Sequence, residues 1–401
     1  MANPSLAMIP SGAKATKLYS VLPEDGTGDF TVVRASTATR VNSDGLIETV
    51  AANVPRLDYT GGLTCPVLLT EPQSTNLALW SEQFDNAYWS KIRCTVTSNI
   101  TTAPDGTLTA DKLIEDTTSL SKSIRLATIS VTSGQYWHIV RLKQNGRIEA
   151  GVFDGLNSVG IYVDLVNAVF LGILIGAPDD YYVESIANGW VEVGILTTSP
   201  VSTNLVVHIT VGQSVSYTGD GVSGIYIWGA EVKKNKDSYI PTTTTTVTRI
   251  ADVITGAGDV NTFNSEEGVL FFEGYATNIV NTLISISDTT QPNRVQFKVS
   301  SPTQFTFYLY AGNVLKYATA ANVTSTSSIH KIAMVWKLNG FYAYIDGVKY
   351  IATQQNYTFT SPLNNLDLSN NVTSLPFYGK VKQLKVFKTA LSDAELISLT
   401  S

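Results

Sequence analysis

The chain has 401 residues, of which 44% are apolar and 15% charged, and a formal net charge of −6. A chain of this length can bury sizeable cores and suggests two or three domains, while its acidic balance, without a stripe of Lys and Arg, argues against nucleic acid as the main partner. Cys65 and Cys94 are too few for a disulfide framework or a four-cysteine zinc site and are expected as unpaired thiols in a reducing cytosol. Thr, Ser and Asn carry most of the polarity, which suits half-buried strands better than helices. The opening MANPSLAMIPSGAKATK lacks the apolar core of a signal peptide. The longest apolar run, 166–175, is too short to cross a bilayer and is interrupted by Asn167 and Gly172. A soluble protein made in the cytoplasm, without membrane insertion, is expected.

Residues 1–80 show little periodicity. Gly26, Gly28, Gly45, Gly61 and Gly62 punctuate short strands at 30–33 and 46–50, so this segment reads as loop-rich and unable to hold a large core alone. From 81 to 250 one strand follows another. Tyr136, His138, Val140 and Leu142 share a face of 135–142, and Ile161, Val163 and Leu165 form another inward row. Asn167-Ala168 reads as a turn, and strands are expected at 190–196, 205–211 and 225–232. Pro241 and the threonines 242–246 read as a short extended connector, and 251–264 as a linker. The last region, 265–401, repeats the style. Strands are expected at 269–275, 282–287, 294–299, 305–310 and 330–338, the last with Ile332, Met334, Trp336 and Leu338 inward. Asp346-Gly347 predicts a hairpin, and Ser392 with Glu395 a capping box opening a helix over 393–399. The fold class is therefore all-β: two tandem β-sandwich (jelly-roll) domains, 81–250 and 265–401, preceded by a loop-rich segment.

Three resemblances follow from particular strings. FTVVRASTATRVNSDGLIETV, VPRLDYTGG and LLTEPQSTNLALWSE, covering most of 20–82, resemble a module of tailed-phage fibre and spike proteins. FDNAYWSK, SGQYWHIVRLK, GIYVDLVNAVF, NGWVEVGI and IYIWGAEV, within 84–250, resemble a carbohydrate-binding-module-like jelly roll. HKIAMVWKLNGFYAYIDGVKY and FYGKVKQLKVFKTALSDAEL, within 265–401, resemble a laminin-G/concanavalin-A-like sandwich. Together they imply a structural virion protein of a tailed bacteriophage, displayed on the virion surface after synthesis in the host bacterial cytoplasm. They imply a capsid-attached head fibre whose residues 1–80 anchor it to other virion proteins. They also imply self-association as a homotrimer and adhesion to host-surface or mucin glycans. Two competing readings are a tail fibre or tailspike with glycan depolymerase activity and a purely structural capsid decoration protein.

No catalytic constellation is expected. His138, His208 and His330 lie inside strands, which suits satisfied structural histidines, and no nucleophile elbow, P-loop or zinc-protease motif occurs. No cofactor is expected either. The resemblance leaves calcium open, with Asp105, Asp111, Asp116 and Asp220 as loop candidates and the metal ligands otherwise unknown. Sugar binding is the sharper expectation, because an aromatic ring stacks on the apolar face of a sugar. Tyr308, Tyr310, Tyr342 and Tyr344 lie opposite the apolar rows and are expected to line one concave sheet. Trp89, beside Tyr88, is expected as a loop platform.

Overall fold

Alternating apolar and polar residues give strands through most of the chain, and one eight-residue helix closes it. The computed structural model describes residues 2–277, 282–290, 292–338, 340–353, 355–369 and 375–401. The protein is all-β and consists of β-sandwiches. Its residues fall into two compact units. Unit 1 comprises Met1–Ser43, Val50–Gln73 and Ile250–Ser401, and unit 2 comprises Asp44–Thr49 and Ser74–Arg249.

Unit 1 contains an eight-stranded, a five-stranded and a four-stranded sheet, all antiparallel among their described pairings. Ile332, Met334, Trp336, Leu270 and Phe272 from the first meet Val295, Phe297, Phe307 and Leu309 from the second in one core. The Phe272 and Phe297 rings meet edge to face at 5.4 Å. Asp346 and Gly347 both have positive φ, as a type I′ turn requires, and join Gly340–Ile345 to Val348–Ile351. The Ser392–Glu395 capping box opens the helix Asp393–Thr400, which lies over Val269, Phe271, Val335 and Tyr344. Leu338 is 70% exposed, against its expected inward position, because the strand ends at Lys337.

The segment 1–80 is not a separate loop-rich piece. Strand Leu6–Met8 pairs with one end of Gly379–Phe387, and Val67–Thr70 with the other. Leu6, Met8 and Leu68 are fully buried in the unit 1 core. The expected linker 251–264 is also part of unit 1. Val253–Thr255 pairs with Phe30–Val33, and Ile254 and Phe263 are buried in the same core.

Unit 2 has two six-stranded antiparallel sheets. The first runs in the order Trp89–Ile92, Lys122–Leu126, Val206–Thr210, Glu149–Asp154, Val159–Asp164, Val169–Ile175. The second runs Cys94–Thr101, Ala110–Glu115, Gly224–Lys233, Gly134–Asn145, Trp190–Ser199, Asp180–Ile186. Ile124, Val152, Ile161, Val163 and Val207 face Leu113, Val140, Leu142, Val193 and Ile227 across the core. The stretch after Gly224–Lys233, expected as a short extended connector, is packed into unit 2. Tyr239 and Ile240 are buried, and the Tyr239 hydroxyl donates to Glu82 Oε1 at 2.8 Å. Thr242 donates to the Ala78 carbonyl, and Val247–Arg249 pairs with Ser74–Asn76.

Candidate functional site

The strand Gln304–Ala311 alternates between faces, so Phe305, Phe307 and Leu309 enter the core while Tyr308 and Tyr310 stand on the other face. The two half-buried rings lie 6.1 Å apart at 36°. Across the sheet, Tyr308 has Gln296 on one side and exposed Ala318 on the other. Tyr310 stands opposite Arg294, whose guanidinium lies 3.7 Å from the ring centroid and donates from Nε to Gln296 Oε1 at 2.8 Å. Lys298 Nζ lies 5.5 Å from the Tyr308 ring. The result is a two-ring shelf with methyl groups on one flank and polar and cationic groups on the other.

Tyr342 and Tyr344 do not join this shelf. They belong to the eight-stranded sheet, where they are 6% and 2% exposed under the C-terminal helix, beside Leu391 and Leu396. Strand parity put them away from the main core correctly, but the helix covers that face. Lys349, whose ammonium binds both Asp393 carboxylate oxygens at 2.8 Å, lies 4.5 Å from the Tyr342 ring. The cleft beside Tyr342, lined by Lys337, Gly340, Phe341 and Ile351 among others, holds about 150 Å³. That is below the usual ~300 Å³ of a ligand pocket.

Trp89 is not a loop platform. It opens a strand opposite Leu126, is 1% exposed, packs on Phe84 at 4.7 Å and donates to the Trp80 carbonyl. Tyr88 is half-buried against the same core.

A second aromatic face lies outside the expected residues. On the outer side of the first unit 2 sheet, one row runs Ser123, His208, Gly151, Tyr162 and Gly172. The next carries exposed Arg125, then Val206, Phe153 and Gly160. The Phe153 and His208 rings lie 6.1 Å apart. Burial and the Arg125 charge push His208 down to about 4, so it is neutral near pH 7. The signal was present in the alternation: Ala150, Val152, Ile161 and Val163 point inward, which leaves Phe153 and Tyr162 outside.

The remaining titratable candidates are held by structure. His138 is sealed in the unit 2 core, with Nε2 2.5 Å from Thr203 Oγ1 and 3.5 Å from Asp154, and burial lowers its pKa despite that carboxylate. His330 bridges Asp346 Oδ2 at 2.6 Å and the Ser325 carbonyl at 2.8 Å. Asp105 accepts from Thr107, Asp116 from Thr118, and Asp220 from Val222 and Arg147. Asp111 accepts the amides of Phe84 and Asn99. Among the described residues no group of three or more His, Cys, Asp or Glu could hold a metal ion. Among the same residues no helix is long and apolar enough to cross a membrane.

Two antiparallel sheets over one apolar core define unit 1 as a β-sandwich. Residues 273–397 match the concanavalin A-like lectin/glucanases superfamily. Several solved structures are similar in part. The CBM40 of Ruminococcus gnavus IT-sialidase, bound to α2,3-sialyllactose, shares 16% identity over 37% of this chain and 94% of its own, with a TM-score of 0.31. Domain 4 of the Geobacillus stearothermophilus arabinanase AbnA, in complex with arabinotriose, shares 13% over 42% and 82%, with a TM-score of 0.26. The LG4-5 domains of the mouse laminin α1 chain share 9% over 67% and 86%, with a TM-score of 0.26. No curated protein matches the chain.

Proposed function

We propose that the protein is a non-catalytic, carbohydrate-binding component of a tailed-bacteriophage virion, a capsid-attached fibre or spike that adheres to host-surface or mucin glycans. The observation that carries the glycan reading is the Tyr308–Tyr310 shelf, with Arg294, Gln296 and Lys298 beside it. Such rings suit the apolar face of a sugar, and the polar flank suits its hydroxyls. The match of residues 273–397 supports it. The virion setting rests on the resemblance of residues 20–82 to phage fibre modules. Attachment to other virion proteins would then use a folded surface rather than a free arm, since Leu6–Met8 and Val67–Thr70 are sheet strands. A homotrimer on the particle surface, made in the host cytoplasm, completes the reading. A millimolar site gives only about −4 kcal/mol, and many copies on one particle multiply avidity by roughly 10²–10⁴.

The test is binding of the full chain to immobilised mucin and to a glycan array. Replacing both Tyr308 and Tyr310 by Ala is expected to weaken binding about 10- to 100-fold, from roughly 1–3 kcal/mol of lost stacking. Circular dichroism should stay unchanged, because both rings lie outside the core. Unchanged binding by the double variant removes the shelf from the account. Silence of the wild type across the array favours the purely structural reading, and release of reducing ends from polysaccharide favours a depolymerase. Immunolabelling of particles should place the protein on the capsid, and labelling elsewhere sinks the head-fibre assignment.

A further inference from the structure

We infer that Lys233 fills a cation cage in unit 2, and that a calcium ion takes this cage once the lysine side chain is shortened. Lys233 ends the strand Gly224–Lys233 and is fully buried. Its ammonium donates to Glu231 Oε1 at 2.7 Å, the Asp237 carbonyl at 2.9 Å and the Ser238 carbonyl at 3.0 Å. An ammonium has three protons, and these three acceptors use them. A fourth oxygen, Asp237 Oδ1, still lies at 2.9 Å on a side chain only 3% exposed. It is a pure charge contact, because this oxygen makes no hydrogen bond. The cage therefore has one oxygen more than the lysine can serve.

Lys122 shows what a matched cage looks like. It is fully buried, donates to the carbonyls of Thr118, Leu120 and Tyr217 at 2.7 Å each, and has Asp116 Oδ1 only at 3.8 Å. Three protons meet three acceptors there. At Lys233 the surplus oxygen comes from a carboxylate, and the set of carboxylate and carbonyl oxygens is the set that calcium prefers.

The charge count points the same way. Glu231 Oε2 pairs with Arg141 at 3.0 Å, Asp237 Oδ2 with Arg249 at 2.9 Å, and Glu192 with Arg141 at 2.5 Å. Lys233 adds a cation between the two carboxylates Glu231 and Asp237. Burial alone would push the Lys233 pKa down, but Asp237 and Glu231 outweigh it and hold the group charged. Without it, Glu231 and Asp237 each lose a cationic contact at 2.7–2.9 Å. Lys233→Ala also empties the volume of the side chain, which admits the waters that complete a calcium shell of six to eight oxygens. Calcium–oxygen distances of about 2.3–2.6 Å require the cage to tighten by only a few tenths of an ångström. It follows that the wild-type unit carries its cation in its own chain and folds without added metal.

The experiment is thermal unfolding of the full chain, followed by tryptophan fluorescence, with calcium chloride or with EDTA. Five of the six tryptophans (Trp80, Trp89, Trp137, Trp190 and Trp228) lie in unit 2, so the signal reads that unit. The wild type should unfold at one temperature in both buffers. Lys233→Ala should gain about 5–10 °C from calcium at a hundredfold excess over its Kd. If that variant is unfolded in EDTA, calcium should refold it. Adding Asp237→Asn should abolish the gain. A folded Lys233→Ala indifferent to calcium, one that folds in neither buffer, or a wild type stabilised by calcium would each overturn the inference.

Discussion

Asp252→Ala is expected to destabilise unit 1 by about 3–5 kcal/mol, because it removes the carboxylate that two buried guanidinium groups share. Asp252 is 2% exposed and accepts from Arg34 Nη1 and the Glu71 amide, each at 2.9 Å, and from Arg56 Nη2. Both arginines are fully buried. Burial alone would lower the Arg56 pKa, and the charges of Asp252 and Glu71 more than reverse this. Arg34 further donates to the carbonyls of Ser36, Ala51 and Val54 and so ties down the chain around it. Taking the carboxylate away removes an ionic partner from each arginine, while the Arg56–Glu71 pair at 2.5 Å and the Arg34 bonds to carbonyls remain. Calorimetry of the full chain should show the unit 1 transition shifted and the unit 2 transition unmoved. A loss under about 1 kcal/mol would mean that water reaches the guanidinium groups and that the cluster behaves as a surface pair.

This cluster also shows what the unusual strings in the sequence encode. Arg34 comes from RASTATR, Arg56 from VPRLDY, Glu71 from LLTEPQSTN and Asp252 from RIAD. Separated by up to 218 positions, they meet in one buried ionic knot. Asn76, from the same LLTEPQSTN string, is likewise buried; it donates to the Ala230 and Ile240 carbonyls in unit 2. The strings were legible as distinctive, but their role was not, because a buried charge cannot be told from a solvated one without its partner. The same limit hid the strands Leu6–Met8 and Val253–Thr255. Three residues cannot display a period of two, and both pair with segments far along the chain. Longer strands such as Gln304–Ala311 and Gly134–Asn145, the Asp346-Gly347 turn and the capped helix carry their cause locally, and all were readable.

The candidate site divides along the same line. Alternation gave the face of Tyr308 and Tyr310 correctly, since nothing longer than the strand is needed to decide it. Alternation also turned Tyr342 and Tyr344 away from the main core, yet a helix about 50 residues later lands on them. Trp89 beside Tyr88 looked like an exposed pair, and only the register with Leu126 shows that the indole points inward. Parity says which residues share a face. It does not say whether that face meets water.

Asp367 gives a sharp expected pH dependence. It stands in the same sheet row as Tyr308, through Gln296 and Ser285, and is 1% exposed. Its carboxyl accepts from the Gly256 amide at 2.7 Å and from Asn365 Nδ2 at 2.6 Å. Burial outweighs both bonds and pushes its pKa from 3.8 to about 6. A carboxyl raised in the folded state binds its proton more tightly there than in the unfolded chain. Its contribution to stability is therefore complete below pH 3.8 and is lost as the pH rises through about 6. Two pKa units correspond to about 3 kcal/mol. Asp367→Asn is uncharged at every pH and keeps a carbonyl acceptor of similar size. It should exceed the wild type in unit 1 stability by up to about 3 kcal/mol at pH 7.5, and the gap should close near pH 4. Carboxylates with lowered pKa, such as Glu273 beside Lys382, act in the opposite sense but are common to both proteins and cancel in the difference. Urea titrations of both proteins at pH 4, 5.5 and 7.5 check this. Parallel stability profiles would show that the two hydrogen bonds offset burial and leave Asp367 titrating as in the unfolded chain.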